Sequence, residues 1–319
     1  RIRECMEIYR SLNEFIPIGS SVITIGSYDG LHRGHHEIIR SVVNHAQAKN
    51  IISSIVTFEP HPKHVLDKSR VKLPLIMSMD QKLNILQSLG ISKVLIIPFT
   101  SEFSRVPAKV FMDNIILPNF NPQVIVAGYD HHFGYQREGG PAFLKRYCLD
   151  HGIDLELTEP IKDGDVIISS NNIRTLIQNG YLRRANFELG SFFGFMAKVV
   201  HGAGRGKGLH FPTANLIPID QNQLMPKPGV YLTRGTINGL HLFGMCNFGV
   251  RPTFEEKELV LEVHLFYDDL DDIYEKVVWV EFLERIRDEK KFPSPLELKK
   301  QLEIDKIKCL ELQGKYTQE

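Results

Sequence analysis

Three histidines and three glycines fall within GSYDGLHRGHHEII, residues 26–39, directly after the apolar run SVITI. His32 and His35 are three positions apart, and His36 follows at once. Imidazole rings at this spacing can bind a metal, pack in the core, or contact phosphate oxygens where a strand passes into a helix. Zinc needs three or four ligands, and no CxxC or HExxH pattern completes such a set, so the sequence disfavours a metal site.

A phosphate-binding turn is the interpretation that these residue types favour. Glycines let backbone amides approach phosphates closely, and a helix that begins near Gly34 would direct its positive end at them. Two histidine side chains one helical turn apart can then stabilise the charge that builds on a phosphate during transfer. A structural role in capping or packing is the alternative.

A second element, ISSNNIRTLIQNG at residues 168–180, has serines that can cap a helix whose apolar side chains face inward. Arg174 then lies in the first turn, where a positive charge opposes the helix dipole. We interpret this arginine as the sign of an anion held nearby. An ordinary surface arginine is the alternative.

Two patterns in the second half can also carry chemistry. Thr213 and Asn215 lie two apart on an extended segment, so both side chains project to one side and can share an Mg²⁺ ion. In LVLEVHLF, residues 259–266, alternate apolar residues face one way and Glu262 faces the other. Such a carboxylate can act as a general base on a ligand hydroxyl, and is otherwise simply solvated.

Three loops complete the set of candidate segments. TFEPHPKHVL (57–66) and VAGYDHHFGYQREGG (126–140) follow strands and are predicted at the ligand edge of a sheet. The aromatic residues of the second loop can hold a flat ring or form a structural lid. GAGRGKGLHFPTANL (202–216) fails the P-loop pattern because a glycine follows its lysine, and we predict a glycine-rich flap over phosphates or a mobile surface loop.

The elements that position these residues differ between the two halves. Apolar runs at 21–25, 51–58, 93–99 and 123–129 alternate with helical patterns, which predicts a parallel sheet covered on both faces. Ligands bind beyond the carboxyl ends of the strands in such sheets. From about Gly190, strand-like runs joined by turns predict an antiparallel barrel, and a helix capped by Ser294 closes the chain.

The amino-acid composition of the chain limits the kinds of binding partner that we expect. Lysine plus arginine equals aspartate plus glutamate at 38 each, so no global field would attract nucleic acid or anionic lipid. The four cysteines form no CxxC pair, which fits a reducing compartment, and no apolar stretch approaches the roughly 20 residues that span a bilayer. We expect a soluble, cytoplasmic, two-domain protein that binds small molecules, as a monomer or weak homo-oligomer.

In this order the motifs resemble those of the prokaryotic bifunctional riboflavin kinase/FAD synthetase family. GSYDGLHRGHHEII looks like its G-x-F-D-G-x-H-x-G-H signature, TFEPHP like TFxPHP, AGYDHHFG like GxDFxFG, and ISSNNIR like SSTxxR. FPTANL, PGVY, NFGVRPTF and EVHLF follow in the second half. The resemblance implies a Rossmann-like nucleotidyltransferase domain (1–187) that adenylylates FMN, and a riboflavin kinase barrel (188–319). Both would use ATP and Mg²⁺.

The resemblance also implies residue roles. His32 and His35 would bind the ATP phosphates and stabilise the transition state of adenylylation, while Glu262 would be the general base on the ribityl 5′-hydroxyl. Thr213 and Asn215 would hold Mg²⁺ and ATP. The other implied nucleotide-binding residues are Gly26, Asp29, Gly34, Ser169, Ser170, Arg174, Gly206 and Lys207. The implied flavin-binding residues are Phe58, Pro60, Asp130 and Phe133.

This chain departs from the family pattern at a few positions. Ser27, Tyr28 and Asn171 stand where the family usually has Asn, Phe and Thr. Asn172 stands where the family often has arginine, and His210 stands where it usually has glycine. Most of these changes fall in the adenylylation half. Two alternatives to the two-step enzyme follow: a paralogue whose adenylylation is weakened or lost, and a flavin or nucleotide sensor that binds without turnover.

Overall fold

The computed structural model describes residues 6–67, 72–200, 213–237, 239–252, 257–266 and 273–317. Contacts divide the chain into two compact units. Unit 1 comprises Arg1–Leu73 and Met79–Ser169, and unit 2 comprises Pro74–Ser78 and Ser170–Glu319. These units are defined by packing, and the functional division at 187/188 stays a prediction.

Unit 1 is built on a six-stranded sheet in which every neighbouring pair is parallel, as the sequence predicted. Its strands are β1 (Glu7–Tyr9), β2 (Ser21–Ile25), β3 (Ile52–Glu59), β4 (Lys93–Pro98), β5 (Pro122–Gly128) and β6 (Asp154–Thr158). Their order is β1-β4-β3-β2-β5-β6. Every residue of β2 is buried, because helices cover both faces of a parallel sheet and leave no side for polar alternation.

The helices of unit 1 are α1 (Arg33–Lys49), α2 (Pro62–Leu66), α3 (Met79–Ser88), α4 (Ala108–Phe111), α5 (Leu117–Phe120) and α6 (Pro141–His151). A π-helical turn, Met112–Ile116, joins α4 to α5. A small hairpin, β7 (Lys162–Asp163) and β8 (Val166–Ile167), precedes the end of the unit. The sequence did not reveal the edge strand β6, because its residues are only partly buried and carry no continuous apolar run.

The strand order creates a switch point in the sheet. From β2 the chain passes through α1 to β3 on one side, and it returns later to place β5 on the other side of β2. The connections that leave the carboxyl ends of β2 and β5 therefore diverge and leave a crevice between them, which is where ligands bind in open α/β sheets. Residues 26–32 and 129–140 are the loops at this crevice.

Unit 2 contains α7 (Ser170–Gln178), α8 (Leu182–Leu189) and a closed six-stranded barrel. The barrel strands are β9 (Phe193–Val200), β10 (Ala214–Pro218), β11 (Gly229–Ile237), β12 (Leu240–Pro252), β13 (Lys257–Leu265) and β14 (Val277–Arg287). They pair in the order β10-β13-β12-β11-β14-β9 and are antiparallel throughout, which confirms the predicted barrel. Alternate side chains, among them Leu216, Val263 and Val280, fill the interior.

A closing helix, α9 (Pro295–Gln313), packs against the barrel as predicted, with the Ser294 side chain accepting a hydrogen bond from the Glu297 amide. Its buried anchor is Asp305, which is 2% exposed. Arg287 Nε lies 3.0 and 2.9 Å from the two Asp305 carboxylate oxygens, and Gln301 donates to the same group. This charge-assisted fork links α9 to the end of β14.

We predict that Asp305→Ala destabilises unit 2 by about 3 kcal/mol, because the Arg287 guanidinium would stay buried without its counterion. Trp279, the only tryptophan of the chain, lies on β14, so its fluorescence during urea unfolding reports on the barrel. Glu275→Gln is the control, since its ion pair with Lys198 is exposed and is expected to contribute well under 1 kcal/mol. Equal losses in the two variants would contradict the anchoring role.

Candidate functional site

The turn between β2 and α1 has an unusual backbone. Tyr28, Gly30 and Leu31 adopt positive φ angles of 48°, 84° and 36°, and two of the three are not glycine. Left-handed backbone at bulky residues costs free energy and persists only where packing holds it. Tyr28 and Leu31 are buried here, so the core supports the strained turn. The helix begins at Arg33 with His32 as its N-cap, one residue before the predicted start.

The turn and the first helical residues bring the two predicted histidines together. The His32 and His35 rings are stacked, with centroids 3.6 Å apart and planes 21° from parallel. The Tyr28 ring meets His35 edge-on at 5.1 Å, and the Tyr28 hydroxyl lies 2.5 Å from Thr24 Oγ1. Substituting either flanking glycine would crowd this arrangement, because a Cβ at Gly26 would lie 2.9 Å from the Tyr28 ring and one at Gly34 would lie 3.3 Å from His32.

The hydrogen bonding of both imidazole rings is incomplete among the described residues. Within the described part of the chain, Nδ1 of His32 and Nδ1 of His35 are buried and have no hydrogen-bond partner. Buried nitrogens of this kind are almost always satisfied in a folded protein, so two adjacent exceptions indicate a place for a ligand. The turn, the helix N-terminus and the paired imidazoles fit an anionic ligand better than a packed core.

Burial sets the charge state of the pair. It lowers the pKa of His32 to about 4, with the charge of His36 acting in the same direction. It also lowers the pKa of His35 well below its usual range, assisted by the charges of His32, Lys82 and His36. Both rings are therefore neutral at pH 7, and each offers one N–H donor and one acceptor nitrogen.

A residue that sequence reasoning missed lies against the same turn. Lys82 on α3 is 5% exposed, and its ammonium donates a 2.5 Å hydrogen bond to the Ser27 carbonyl oxygen. The available signal was its position, since Met79, Lys82, Leu83 and Leu86 follow the spacing of an inward helix face. Asp29, in the turn itself, is 4% exposed.

The predicted flavin-binding residues divide into two kinds. Phe58 at the end of β3 and Phe133 after β5 are buried in the core of unit 1, in a chain of ring contacts that includes Phe103 and Phe111. Pro60 and Asp130 are exposed on loops that follow β3 and β5. The aromatic residues thus support the loops from below, while the exposed pair faces solvent at the edge.

The residues of ISSNNIR straddle the division between the units. Ser169 ends unit 1, and Ser170 begins α7 in unit 2. Arg174 is buried and donates from Nε to the Pro74 carbonyl and from Nη1 to Asn171 Oδ1, both at 2.9 Å. Asn172 donates to the buried carboxylate of Glu188 on α8. The structure therefore gives Asn171 and Asn172 internal partners.

The barrel holds the second group of predicted residues. Asn215 on β10 pairs with Glu262 on β13, and Glu262 pairs with Asn247 on β12. Directly paired residues project to the same face of a sheet, so these three side chains form one row. The neighbours Ala214 and Val263 line the interior, so the row faces outward. Thr213 directly precedes β10, two positions before Asn215. Asn215 is nevertheless only 7% exposed.

The sequence alone does not identify Asn247 as a site residue, although Asn247 begins the NFGVRPTF motif. Its register opposite Glu262 is the observation that adds it to the site.

Gly206, Lys207 and His210 lie outside the described residues. Among the residues that the structure describes, no three His, Cys, Asp or Glu side chains are grouped to bind a metal. Within the same residues, no helix is long and apolar enough to cross a membrane.

Comparisons with known proteins identify two domain families along the chain. Residues 18–172 match the FAD synthetase family, and residues 189–312 match the riboflavin kinase family. The bifunctional riboflavin kinase/FMN adenylyltransferase of Bacillus subtilis is 35% identical over 91% of this chain and 92% of its own length. The Escherichia coli protein of the same description is 31% identical over 97% and 98%, respectively.

Solved structures share the fold. A crystal structure described as a macrolide-efflux protein from Streptococcus pneumoniae superposes with a TM-score of 0.86 at 30% sequence identity. The alignment covers 95% of this chain and 97% of that one. The sheet, the barrel and the closing helix therefore recur together in a related protein.

The buried histidines predict an acid-labile unit 1. Burial also lowers the pKa of His131 to about 4, so His32, His35 and His131 each bind a proton less readily when folded. The unfolded chain binds more protons between about pH 6.5 and pH 4, so the unfolding free energy falls as pH falls through this window. We expect a loss of roughly 1–2 kcal/mol for each of His32 and His131 between pH 7 and pH 5, and a further loss in the same direction from His35.

Urea unfolding followed by far-ultraviolet circular dichroism at several pH values measures this loss. His241→Gln is the matched control, because His241 is an exposed histidine on β12 and its removal should leave the pH dependence unchanged. A midpoint that does not move between pH 7 and pH 5 would show that the three rings are not held neutral by burial.

Proposed function

The chain belongs to the bifunctional riboflavin kinase/FMN adenylyltransferase family, and we propose that His32 and His35 carry its adenylyl transfer and Glu262 its phosphoryl transfer. The enzyme phosphorylates riboflavin to FMN and adenylylates FMN to FAD, with ATP as the donor in both steps. Both catalytic domains are present and the relatives are bifunctional, which supports the two-step enzyme and neither a sensor nor a paralogue with one activity weakened or lost.

One observation carries the assignment of the adenylylation residues, namely the two buried Nδ1 atoms without partners beside a helix N-terminus. An FMN phosphate oxygen attacks the α-phosphorus of ATP, a new P–O bond forms, and the bond to the bridging oxygen of pyrophosphate breaks. Negative charge builds on the phosphate oxygens during this step. The stacked imidazoles donate to those oxygens without first having to be desolvated, because they are already buried.

The remaining nucleotide contacts follow from the same turn. Gly26 and Gly34 let the backbone amides and the helix end approach the phosphates, and Asp29 helps to bind the nucleotide. Ser169, Ser170 and Arg174 also bind nucleotide in this proposal, and Gly206 and Lys207 do so in the kinase half. Asp130 and Pro60 contact the flavin from the loops at the sheet edge, and Phe58 and Phe133 support those loops.

In the kinase half, Glu262 accepts the proton of the ribityl 5′-hydroxyl as that oxygen attacks the γ-phosphorus of ATP. The bond between the γ-phosphorus and the β,γ-bridging oxygen breaks, and ADP leaves. The donors around it suit Mg²⁺, since Thr213 and Asn215 offer neutral oxygens on the face that carries the carboxylate. A magnesium ion held there would neutralise charge on the transferred phosphoryl group. Asn247 completes the row on the opposite side of Glu262 and is placed to orient the substrate hydroxyl.

In this proposal, residues 1–187 carry out adenylylation and residues 188–319 carry out riboflavin phosphorylation. Both activities consume ATP, and the described cysteines, Cys148, Cys246 and Cys309, are free and buried. These observations support a cytoplasmic enzyme. Monomeric or weakly self-associating behaviour remains part of the proposal, to be tested by sedimentation.

Glu262→Gln should lower riboflavin phosphorylation by about 100-fold to 10,000-fold, since it removes the base but keeps the size of the side chain. Adenylylation of supplied FMN should be unchanged, because the two reactions use different residues. Incubation with riboflavin or FMN, ATP and Mg²⁺, followed by separation of the flavins, measures both. Loss of both activities in a folded variant would contradict separate sites.

His35→Gln should give the opposite pattern. FAD formation should fall by about 100-fold to 1,000-fold through the loss of one donor to the transferring phosphate, while FMN formation from riboflavin persists. Accumulation of FMN without FAD by the unmodified protein would refute the adenylylation step, and no conversion of riboflavin at all would favour a sensor.

A further inference from the structure

The buried ammonium group of Lys82 has none of the catalytic, nucleotide-binding or flavin-binding roles proposed above. Lys82 lies on α3 with its side chain directed inward beside Leu83 and Leu86, and its residue is 5% exposed. Removing a lysine side chain from water is costly, and a hydrophobic residue at this position would continue the inward face without that cost. The charge therefore needs a reason beyond packing.

The immediate contact of the ammonium is with the strained turn. Lys82 Nζ donates a 2.5 Å hydrogen bond to the Ser27 carbonyl oxygen. Ser27 directly precedes Tyr28, whose φ of 48° begins the left-handed stretch that ends at Leu31. A charge-assisted bond to the carbonyl that enters this stretch stabilises the one backbone conformation that presents Asp29, His32 and His35 together.

Titratable groups on three other elements interact with the same ammonium. Burial lowers the pKa of Lys82 to about 8, although Asp29 from the turn and Glu59 from the end of β3 stabilise its charged form. On α1, the positive charge of Lys82 helps to lower the pKa of His35. Lys82 is thus coupled electrostatically to a residue of the adenylyl-transfer site as well as bonded to its backbone.

We propose that Lys82 is a positioning residue for adenylyl transfer, which clamps the 26–32 turn through its hydrogen bond to the Ser27 carbonyl oxygen and places a positive charge close to His35. The inference rests on the proposed function of His32 and His35. The hydrogen bond keeps the backbone amides and the two imidazoles in position to contact the phosphates of ATP. The buried positive charge adds to the electrostatic potential that attracts those phosphates. It has no direct contact with the reacting atoms in this role.

The first experiment measures adenylylation of FMN from pH 6.5 to pH 9.5 in the full chain. In the wild type we expect kcat to fall above about pH 8, as Lys82 loses its proton and the clamp weakens. Lys82→Met should lower kcat at pH 7.5 by about 10-fold to 100-fold with a smaller change in KM, and should lack the alkaline fall. Lys82→Arg keeps the charge at all these pH values, so it should recover part of the activity and also lack the fall.

Controls separate this role from a structural one. Lys49→Met removes a half-exposed lysine from the end of α1 and should keep the wild-type pH profile. A thermal melt by circular dichroism shows whether unit 1 is folded in each variant. A folded Lys82→Met variant whose activity is reduced equally at every pH, with the alkaline fall intact, would overturn the proposal.

A second measurement needs no turnover. Histidine carbon–proton correlation spectra of isotope-labelled protein follow the titration of His35, which should begin at higher pH in Lys82→Met because a nearby positive charge is gone. An unchanged His35 titration would also overturn the proposal. Absence of FAD formation by the wild type would instead refute the adenylylation assignment, and the histidine titration would still decide whether Lys82 acts on His35.

Discussion

The proposed adenylyl-transfer site depends on a short turn that the backbone would not adopt by itself. Between β2 and α1 the chain bends through left-handed conformations at Tyr28 and Leu31, which are bulky residues, and this strain must be offset by contacts elsewhere. The core buries both side chains, and Lys82 bonds the carbonyl that precedes them. What the turn achieves is the stacking of two neutral histidines at the start of a helix, with buried nitrogens that lack partners. The rest of unit 1 serves to hold this geometry at the open edge of a parallel sheet.

The proposed kinase site depends on a simpler constraint, the alternation of side chains along a strand. A closed barrel fills its interior with one set of side chains, so the residues between them must face outward. Asn215, Glu262 and Asn247 are consecutive across three neighbouring strands, and register alone aligns them. The residues proposed for phosphoryl transfer lie on strands, whereas those proposed for adenylyl transfer lie on a strained turn of unit 1.

The structure shows how three of the residues that depart from the family pattern are accommodated. The hydroxyl that distinguishes Tyr28 from phenylalanine bonds Thr24, and Asn171 accepts a hydrogen bond from Arg174. Asn172 donates to Glu188, which also pairs with Arg184. Each of these polar groups has a partner inside its own unit, so none is left as an unsatisfied cost. These substitutions are compatible with a folded site in the half of the chain where they cluster.

The sequence by itself determined the parallel sheet, the antiparallel barrel, the closing helix and the candidate histidines, since all depend on local periodicity and on motifs. It also placed Glu262 opposite the apolar face of its strand, because alternation is a local property. Only the tertiary structure decided that Lys82 meets Ser27 and that Asn247 stands beside Glu262. The first contact joins residues 55 positions apart, and the second depends on how two neighbouring strands pair. A lysine within a helix pattern or an asparagine within a strand is predicted from local sequence to be solvated. The burial of Lys82 and the register of Asn247 exist only once the elements have packed.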